Sequence, residues 1–137
     1  MSPTEPQESG RLEAAYALRR KVLGDAYVDS VIDDPDPRAA EFQDFITGMA
    51  WGVWARGGPL SLRDRSLLVM AITATLGRME EFKLHAAAAH RAGVTDEEID
   101  ELLFQIAAYA GGPAGVASRR AIRAVRAERE ARPGTGG

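Results

Sequence analysis

The segment Thr95-Asp96-Glu97-Glu98 is the strongest local folding signal in the sequence. A threonine followed three residues later by a glutamate, directly before an apolar run, is the pattern of a capping box at the start of a helix. Apolar residues elsewhere in the chain recur at helical spacing, and no β-branched run alternates with polar residues as in a half-buried strand. We therefore predict an all-α fold.

Glycine and proline residues divide the chain into about six predicted helices. The first helix ends at Gly24, and the Asp- and Pro-rich segment 25–36 is predicted to be a loop. The second helix begins at Asp36-Pro37 and ends at Gly57-Gly58-Pro59. Ser61 caps the third helix, and the fourth lies between Gly77 and Gly93. Gly111-Gly112 separates the fifth helix from the sixth. Residues 1–10 and 132–137 are polar and predicted to be disordered tails, which leaves one helical domain over residues 11–131.

The third predicted helix is unusual because residues 67–76 are apolar on nearly every side. A helix with this pattern is typically buried on all sides. The fourth helix carries consecutive alanines at 86–89, which allow neighbouring helices to approach closely. In a chain of only 137 residues, these two features predict a homo-oligomer.

Composition excludes several classes of function. The chain contains no cysteine, which rules out thiol chemistry and disulfides, and its net charge of −3 argues against nucleic-acid binding. The sequence has no apolar run long enough to span a membrane and no signal peptide at residues 1–10, so we expect a cytoplasmic protein without membrane contact. No histidine, aspartate or glutamate spacing matches a metal motif, so we expect no metal.

The pair Glu81 and His85 is the first candidate for chemistry. The two residues are four positions apart and share one helix face, and Arg78 is predicted to lie on the same stripe. A cation, a carboxylate and an imidazole in line are suited to hold an anion and move a proton. Spacing alone favours the simpler interpretation, a solvated face with helix-stabilising pairs.

Three further candidates follow from residue type. Trp51 and Trp54 are three positions apart and form either a pocket wall or part of the core. Arg65, near the start of the third helix, is suited to bind a carboxylate, although a surface ion pair is the simpler interpretation. Gln105 and Tyr109 are one turn apart among apolar neighbours, and each is expected to place a buried polar tip against substrate or backbone.

Several short segments follow one another in a fixed order over about residues 11 to 128. They are RRKVLGDAYVD at 19–29, EFQ at 41–43, AWGVW at 50–54, RSLL at 65–68, LGRMEEFKLH at 76–85, AGVT at 92–95 and YAGGPA at 109–114. As an ordered set they resemble the carboxymuconolactone decarboxylase family. The related alkyl-hydroperoxidase branch has a CxxC dyad where this chain has Arg78 and Glu81, so peroxidase chemistry is excluded.

The resemblance implies an alkyl hydroperoxidase D-like helical bundle, a hexameric assembly and a carboxy-lyase. The implied reaction is decarboxylation of 4-carboxymuconolactone to 3-oxoadipate enol-lactone in the protocatechuate (β-ketoadipate) pathway. The lactone accepts the electrons itself, so no cofactor is expected. His85 is the implied proton donor and Glu81 its orienting partner, with Arg65 or Arg78 holding a carboxylate; Trp51 and Trp54 would form a dry wall, and Gln105 and Tyr109 are further candidates for binding substrate.

Two departures from the family pattern bear on the substrate. The segment Leu62-Arg63-Asp64 stands where a His/Thr-type pair is common, and Gly115 stands where a second alanine is common. These departures motivate two alternatives: a family member acting on another lactone or polyketide-like substrate, and a non-catalytic oligomeric binding module.

Overall fold

The computed structural model describes residues 5–132, and every regular element in this range is helical. The prediction of an all-α fold is therefore confirmed. The contacts divide the chain into two compact units, one ending at Ser61 and the other beginning at Leu62. This boundary lies inside the predicted domain 11–131, which stays a prediction, and the tail residues 1–4 and 133–137 lie outside the described range.

The first unit contains four α-helices within residues 5–61. They are α1 (Glu5–Leu23), α2 (Asp25–Ile32), α3 (Pro37–Ile46) and α4 (Gly52–Ala55), with a π-helical turn over Thr47–Trp51 between the last two. Helix α1 begins inside the segment 1–10 that was predicted as a tail. The Asp36 side chain caps α3 by accepting a hydrogen bond of 3.0 Å from the Arg38 backbone N–H, as the sequence predicts.

Helix α2 corrects the prediction of a loop over residues 25–36. Gly24 takes a positive φ of 91°, which turns the chain and lets a new helix start at once. Val28 is fully buried, and Arg20 pairs with Asp25 at 3.2 Å and with Asp29 at 2.8 Å. Two of the acidic residues that suggested a loop, Asp25 and Asp29, therefore pair with Arg20 of α1.

The second unit contains the remaining four α-helices of the described range. They are α5 (Leu62–Thr75), α6 (Met79–Ala88), α7 (Asp96–Ala110) and α8 (Gly112–Ala131), with a 3₁₀ turn over Ala89–Ala92. The total of eight exceeds the predicted six because α2 was missed and the π-helical turn divides the predicted second helix. Gly93 adopts the left-handed conformation at φ 94° and stops the 3₁₀ turn.

The capping box is confirmed. The Thr95 hydroxyl accepts the Glu98 backbone N–H at 3.1 Å, and the Glu98 carboxylate accepts the Thr95 backbone N–H at 3.0 Å. Glu98 also forms an ion pair with Arg63 of α5. At the other end of the sequence, Arg126 and Arg129 of α8 pair with the acidic first turn of α7, for example Arg129 with Asp96 at 2.9 Å.

Ten buried residues form the hydrophobic core of the second unit. They are Met70, Ala74, Phe82, Ala86, Ala89, Val94, Ile99, Ile106, Ala121 and Ile122. Helices α7 and α8 touch at Gly115, where an added Cβ would lie 2.6 Å from the Ala107 Cβ and 3.0 Å from its Cα. Helix packing thus accounts for Gly115, one of the two departures from the family pattern.

Helix α5 corrects another expectation. It was predicted to be buried on all sides, but Leu68 and Ile72 are 47% and 55% exposed in the single chain. These residues lie four positions apart, so they form one apolar stripe opposite the core-facing Met70 and Ala74. None of the helices within residues 5–132 is long and apolar enough to cross a membrane.

Candidate active site

His85 is the buried ionisable residue at the centre of the predicted site. It lies in the last turn of α6, in the second unit, and is only 8% exposed. Phe82 and Ala86 on the same helix belong to the core beside it. The imidazole therefore sits at the edge of an apolar region, which water reaches poorly.

Burial determines the protonation state of His85. Loss of solvent lowers the pKa of the imidazole from 6.5 to about 4, and the negative charge of Glu81 opposes this shift without overcoming it. His85 is therefore neutral at neutral pH in the free protein. With this lowered pKa the imidazole is a weak base, and it must acquire a proton before it acts as a donor.

Glu81 lies one turn before His85 on α6, with its side chain exposed. The structure thus brings this predicted pair together: a carboxylate at the solvent side and an imidazole on the buried side. A carboxylate in this position can orient the imidazole and pass protons between it and water.

Arg78 directly precedes α6 as its N-cap residue, and its place on one stripe with Glu81 and His85 stays a prediction. Gly77 takes a positive φ of 73°, and Arg78 is the exposed residue that precedes α6. Its backbone N–H donates to the Thr73 carbonyl at 2.8 Å, so it belongs to the turn between α5 and α6.

Arg65 is buried in the first turns of α5, in the same unit as His85. Burial of a guanidinium is costly and makes this arginine, rather than exposed Arg78, the better candidate to bind a carboxylate. The next residue, Ser66, is fully buried, and its hydroxyl has no hydrogen-bond partner within residues 5–132. The sequence gives no signal for Ser66 beyond its place in the RSLL segment, because residue type does not indicate burial of a serine in a helix.

Trp51 and Trp54 lie in the first unit and contact each other. Their ring centroids are 4.9 Å apart, and the rings are tilted by 27° in a stacked arrangement. Both residues are buried in the first unit, where their rings form one apolar surface.

Gln105 and Tyr109 correct the expectation of buried polar tips. Both lie on α7 and both are exposed, Tyr109 to 87%. Ile106 on the same helix belongs to the core. In the single chain neither residue is enclosed with His85.

An open groove of about 640 Å³ lies elsewhere on the second unit, between α7 and α8. Phe104, Val116 and Arg119 are among the residues that line it, and none of its lining residues is a predicted site residue. Among the described residues there is also no group of three His, Asp or Glu side chains placed to bind a metal.

Comparison with known proteins identifies the family. Residues 40–124 match the model of the carboxymuconolactone decarboxylase family. The chain belongs to this family. The matched range includes all eight predicted site residues, from Trp51 to Tyr109.

Two curated relatives of this carboxymuconolactone decarboxylase family member are decarboxylases. The chain is 37% identical over 109 residues to a 4-carboxymuconolactone decarboxylase of Acinetobacter baylyi, which covers 79% of this chain and 81% of the relative. It is also 37% identical over 97 residues to a nitrosuccinic acid decarboxylase of Metarhizium robertsii, which covers 70% of this chain and 67% of that relative. Both names support carboxy-lyase activity for this chain.

Proposed function

We propose that this protein decarboxylates a small dicarboxylate without a cofactor, and that 4-carboxymuconolactone is its substrate and 3-oxoadipate enol-lactone its product. The observation that carries the proposal is the pair of Glu81 and buried His85 on α6 in a chain of this family. The proposal includes a place in the protocatechuate (β-ketoadipate) pathway and a cytoplasmic location.

The substrate supplies its own electron acceptor. When the ring carboxylate leaves as CO₂, the electron pair of the broken C–C bond moves through the double bond to the lactone carbonyl and forms a dienolate. A proton added to the carbon next to that carbonyl gives the enol-lactone. The reaction therefore consumes one proton and releases one CO₂, and no external electron acceptor is needed.

The protein has three tasks in this scheme. Arg65 binds the carboxylate that the product retains, because a buried guanidinium forms a strong paired contact with a carboxylate. The resemblance implies that Trp51 and Trp54 supply an apolar wall, which would favour loss of the charged carboxylate as neutral CO₂. His85 delivers the proton to carbon.

His85 must first become protonated, because it is neutral in the free protein at neutral pH. A bound dicarboxylate brings negative charge into a poorly solvated site and raises the pKa of a neighbouring imidazole. Substrate binding therefore creates the acid form, and Glu81 at the solvent side is the route by which the proton arrives.

A second candidate substrate is nitrosuccinate, because the nitrosuccinic acid decarboxylase is as similar in identity as the lactone decarboxylase, 37% in both cases. In nitrosuccinate the nitro group accepts the electron pair as CO₂ leaves, so the protein's three tasks are the same. The two candidates share a pair of carboxylates and an internal electron acceptor.

We also propose that the protein assembles into a homo-oligomer, with a hexamer as the expected size. The exposed apolar stripe of Leu68 and Ile72 on α5 supports this proposal, since monomers rarely expose large contiguous apolar surface. Light scattering at micromolar concentration tests it, and a monomer alone would contradict it.

The deciding experiment for the activity measures CO₂ release and the ultraviolet change with each substrate in parallel. Turnover of 4-carboxymuconolactone alone supports the first proposal, and turnover of nitrosuccinate alone supports the second. If neither substrate releases CO₂ but either raises the melting temperature, the protein is a binding module. If neither has any effect, both proposed substrates are wrong.

A further inference from the structure

In the second unit, α7 and α8 expose a mixed apolar and charged surface on either side of the open groove between them. We call it the α7/α8 face; it consists of Glu101, Phe104 and Ala108 of α7 and Val116, Arg120 and Arg123 of α8, all of them exposed. Residues three, four and seven positions apart follow one stripe of a helix, so each set of three forms a continuous surface. Phe104 and Val116 both line the groove and are 71% and 59% exposed. The single chain therefore leaves large apolar side chains in water on this face.

The charges of the α7/α8 face have no partners in the single chain. Within residues 5–132, none of Glu101, Arg120 and Arg123 forms an ion pair. The two arginines are three positions apart on α8, and like charges at this spacing repel each other on a helix. Farther along α8, by contrast, Arg126 and Arg129 pair with acidic residues of α7. The face thus carries both an acid and two cations that are unsatisfied until something covers it.

Two contacts establish how α7 and α8 are aligned. An added Cβ at Gly115 of α8 would lie 2.6 Å from the Ala107 Cβ of α7, and Arg126 of α8 pairs with Asp100 of α7 at 2.8 Å. Position numbers therefore rise along α8 as they fall along α7, and the two helices are antiparallel. Counting from either contact places three pairs of the α7/α8 face at the same height to within about two residues, which is a rise of roughly 3 Å. These pairs are Glu101 with Arg123, Phe104 with Arg120, and Ala108 with Val116.

We propose that the α7/α8 face binds the same face of a second copy of this chain, about a two-fold axis parallel to the two helices. Rotation about such an axis keeps each residue at its height and lays α7 of one copy along α8 of the other. Each level pair then becomes a contact between copies, and symmetry makes each contact occur twice. Glu101 of one copy meets Arg123 of the other, and the Phe104 ring meets the Arg120 guanidinium. This inference rests on the proposed homo-oligomer and names one of its surfaces, separate from the apolar stripe of α5.

The charge pattern favours a second copy in this orientation. A two-fold axis that crossed the helices at a right angle within the interface would lay α8 of one copy on α8 of the other, so that arginines would face arginines. With the parallel axis, each copy supplies the acid that Arg123 of the other lacks, at the matching height. A hexamer with dihedral symmetry also needs a two-fold contact in addition to its three-fold contacts, and the α7/α8 face would provide it.

Charge reversal tests the ion pair between copies. Glu101→Arg alone and Arg123→Glu alone each place like charges in two symmetric contacts, whereas the double variant restores opposite charges. We expect each single variant to raise the concentration at which the assembly dissociates by about 100-fold, and the double variant to return it to near the wild-type value. Lys83→Glu, which reverses an exposed cation on α6, is the control and should leave the assembly unchanged. Light scattering over a dilution series measures the mass.

Thiol cross-linking tests the geometry, because the chain has no cysteine of its own. In the proposed arrangement Ala108 of one copy faces Val116 of the other, and neither faces its own counterpart. We therefore expect co-expressed Ala108→Cys and Val116→Cys chains to form covalent dimers with a short bismaleimide, in greater yield than either variant expressed alone. Ala87→Cys, at an exposed alanine of α6, replaces Ala108→Cys in the matched control and should give no such gain.

The outcomes separate this inference from the proposed homo-oligomer. If the wild type is an oligomer and both single reversals keep its mass and stability to dilution, the inference is overturned and the oligomer uses another surface. If the wild type is a monomer, the proposed oligomer and this inference fail together. If the single reversals dissociate without rescue by the double variant, or do not fold, the cross-link decides: a gain in the mixed chains supports the inference, and no gain overturns it.

Discussion

Lowering the pH should destabilise this protein through His85. The folded protein holds this imidazole in a poorly solvated position, which lowers its pKa from 6.5 to about 4, while in the unfolded chain the imidazole titrates near 6.5. Between these values the unfolded chain binds a proton that the folded protein does not. Acid therefore favours the unfolded state, and this contribution to stability is complete above pH 6.5 and is lost as the pH falls toward 4.

The magnitude follows from the same two values. Each tenfold difference in proton affinity corresponds to 1.36 kcal/mol, so the difference between 6.5 and about 4 gives a loss of about 3 kcal/mol in the free energy of unfolding. The ion pair of Asp96 with Arg129 also responds to acid, because Arg129 lowers the pKa of that carboxyl below 3.8. Its contribution is lost only at more acidic pH, so the two effects occupy separate ranges.

The assay is urea unfolding at fixed protein concentration, repeated from neutral pH to about pH 4. His85→Gln replaces the imidazole with a group that does not titrate, and the difference between the two pH profiles isolates the contribution of His85. His90→Gln is the control, since His90 is the other histidine and is exposed. It should keep the wild-type loss. The reasoning would be refuted if wild type and His85→Gln lost stability in parallel over this range.

Four further predictions follow from the site and the packing. His85→Ala should reduce turnover by about 10²–10⁴-fold, and Glu81→Gln should also reduce it. The double variant should be little worse than the more damaging single variant. Rates are measured on the correctly assembled fraction of each variant, and normal turnover in that fraction of His85→Ala would contradict the prediction. Binding of an unreactive dicarboxylate near neutral pH should be accompanied by proton uptake, and calorimetry in buffers of different ionisation enthalpy measures it; binding without uptake would show that His85 stays neutral. Gly115→Ala should cost about 1–3 kcal/mol in thermal unfolding because its methyl group would overlap Ala107, whereas Gly112→Ala, which has open space, should not. Activity should survive chelator treatment, and loss that one divalent metal restores would disprove metal independence.

Much of the fold was predictable because its signals are local. The capping box at Thr95 and Glu98, the Asp36 cap and the stop at Gly93 depend only on residues within one or two turns. Helix α2 was missed for the opposite reason: it is stabilised by burial of Val28 and by ion pairs from Arg20 on another helix. Such contacts between elements outweigh the loop preference of an acidic segment, and spacing does not reveal them.

The candidate site was also predictable only where its signals are local. Helical spacing placed Glu81 and His85 on one face, and the structure agrees. Arg78 lies just before that helix, as its N-cap residue. The sequence did not predict the exposure of Tyr109, since apolar neighbours in the sequence indicate burial only when another element covers that face.

The protonation state of His85 connects the substrate to the mechanism in a way that spacing cannot reveal. A neutral imidazole becomes an acid only if negative charge stays beside it until the proton moves to carbon. CO₂ leaves as a neutral molecule, so the negative charge of the departing carboxylate stays on the substrate, as the dienolate in the case of the lactone, until the proton reaches carbon. A dicarboxylate also keeps its second carboxylate, which under the proposed mechanism Arg65 holds and which continues to favour the protonated imidazole. The second carboxylate then serves both binding and proton uptake, and either proposed substrate would supply it whatever its electron acceptor.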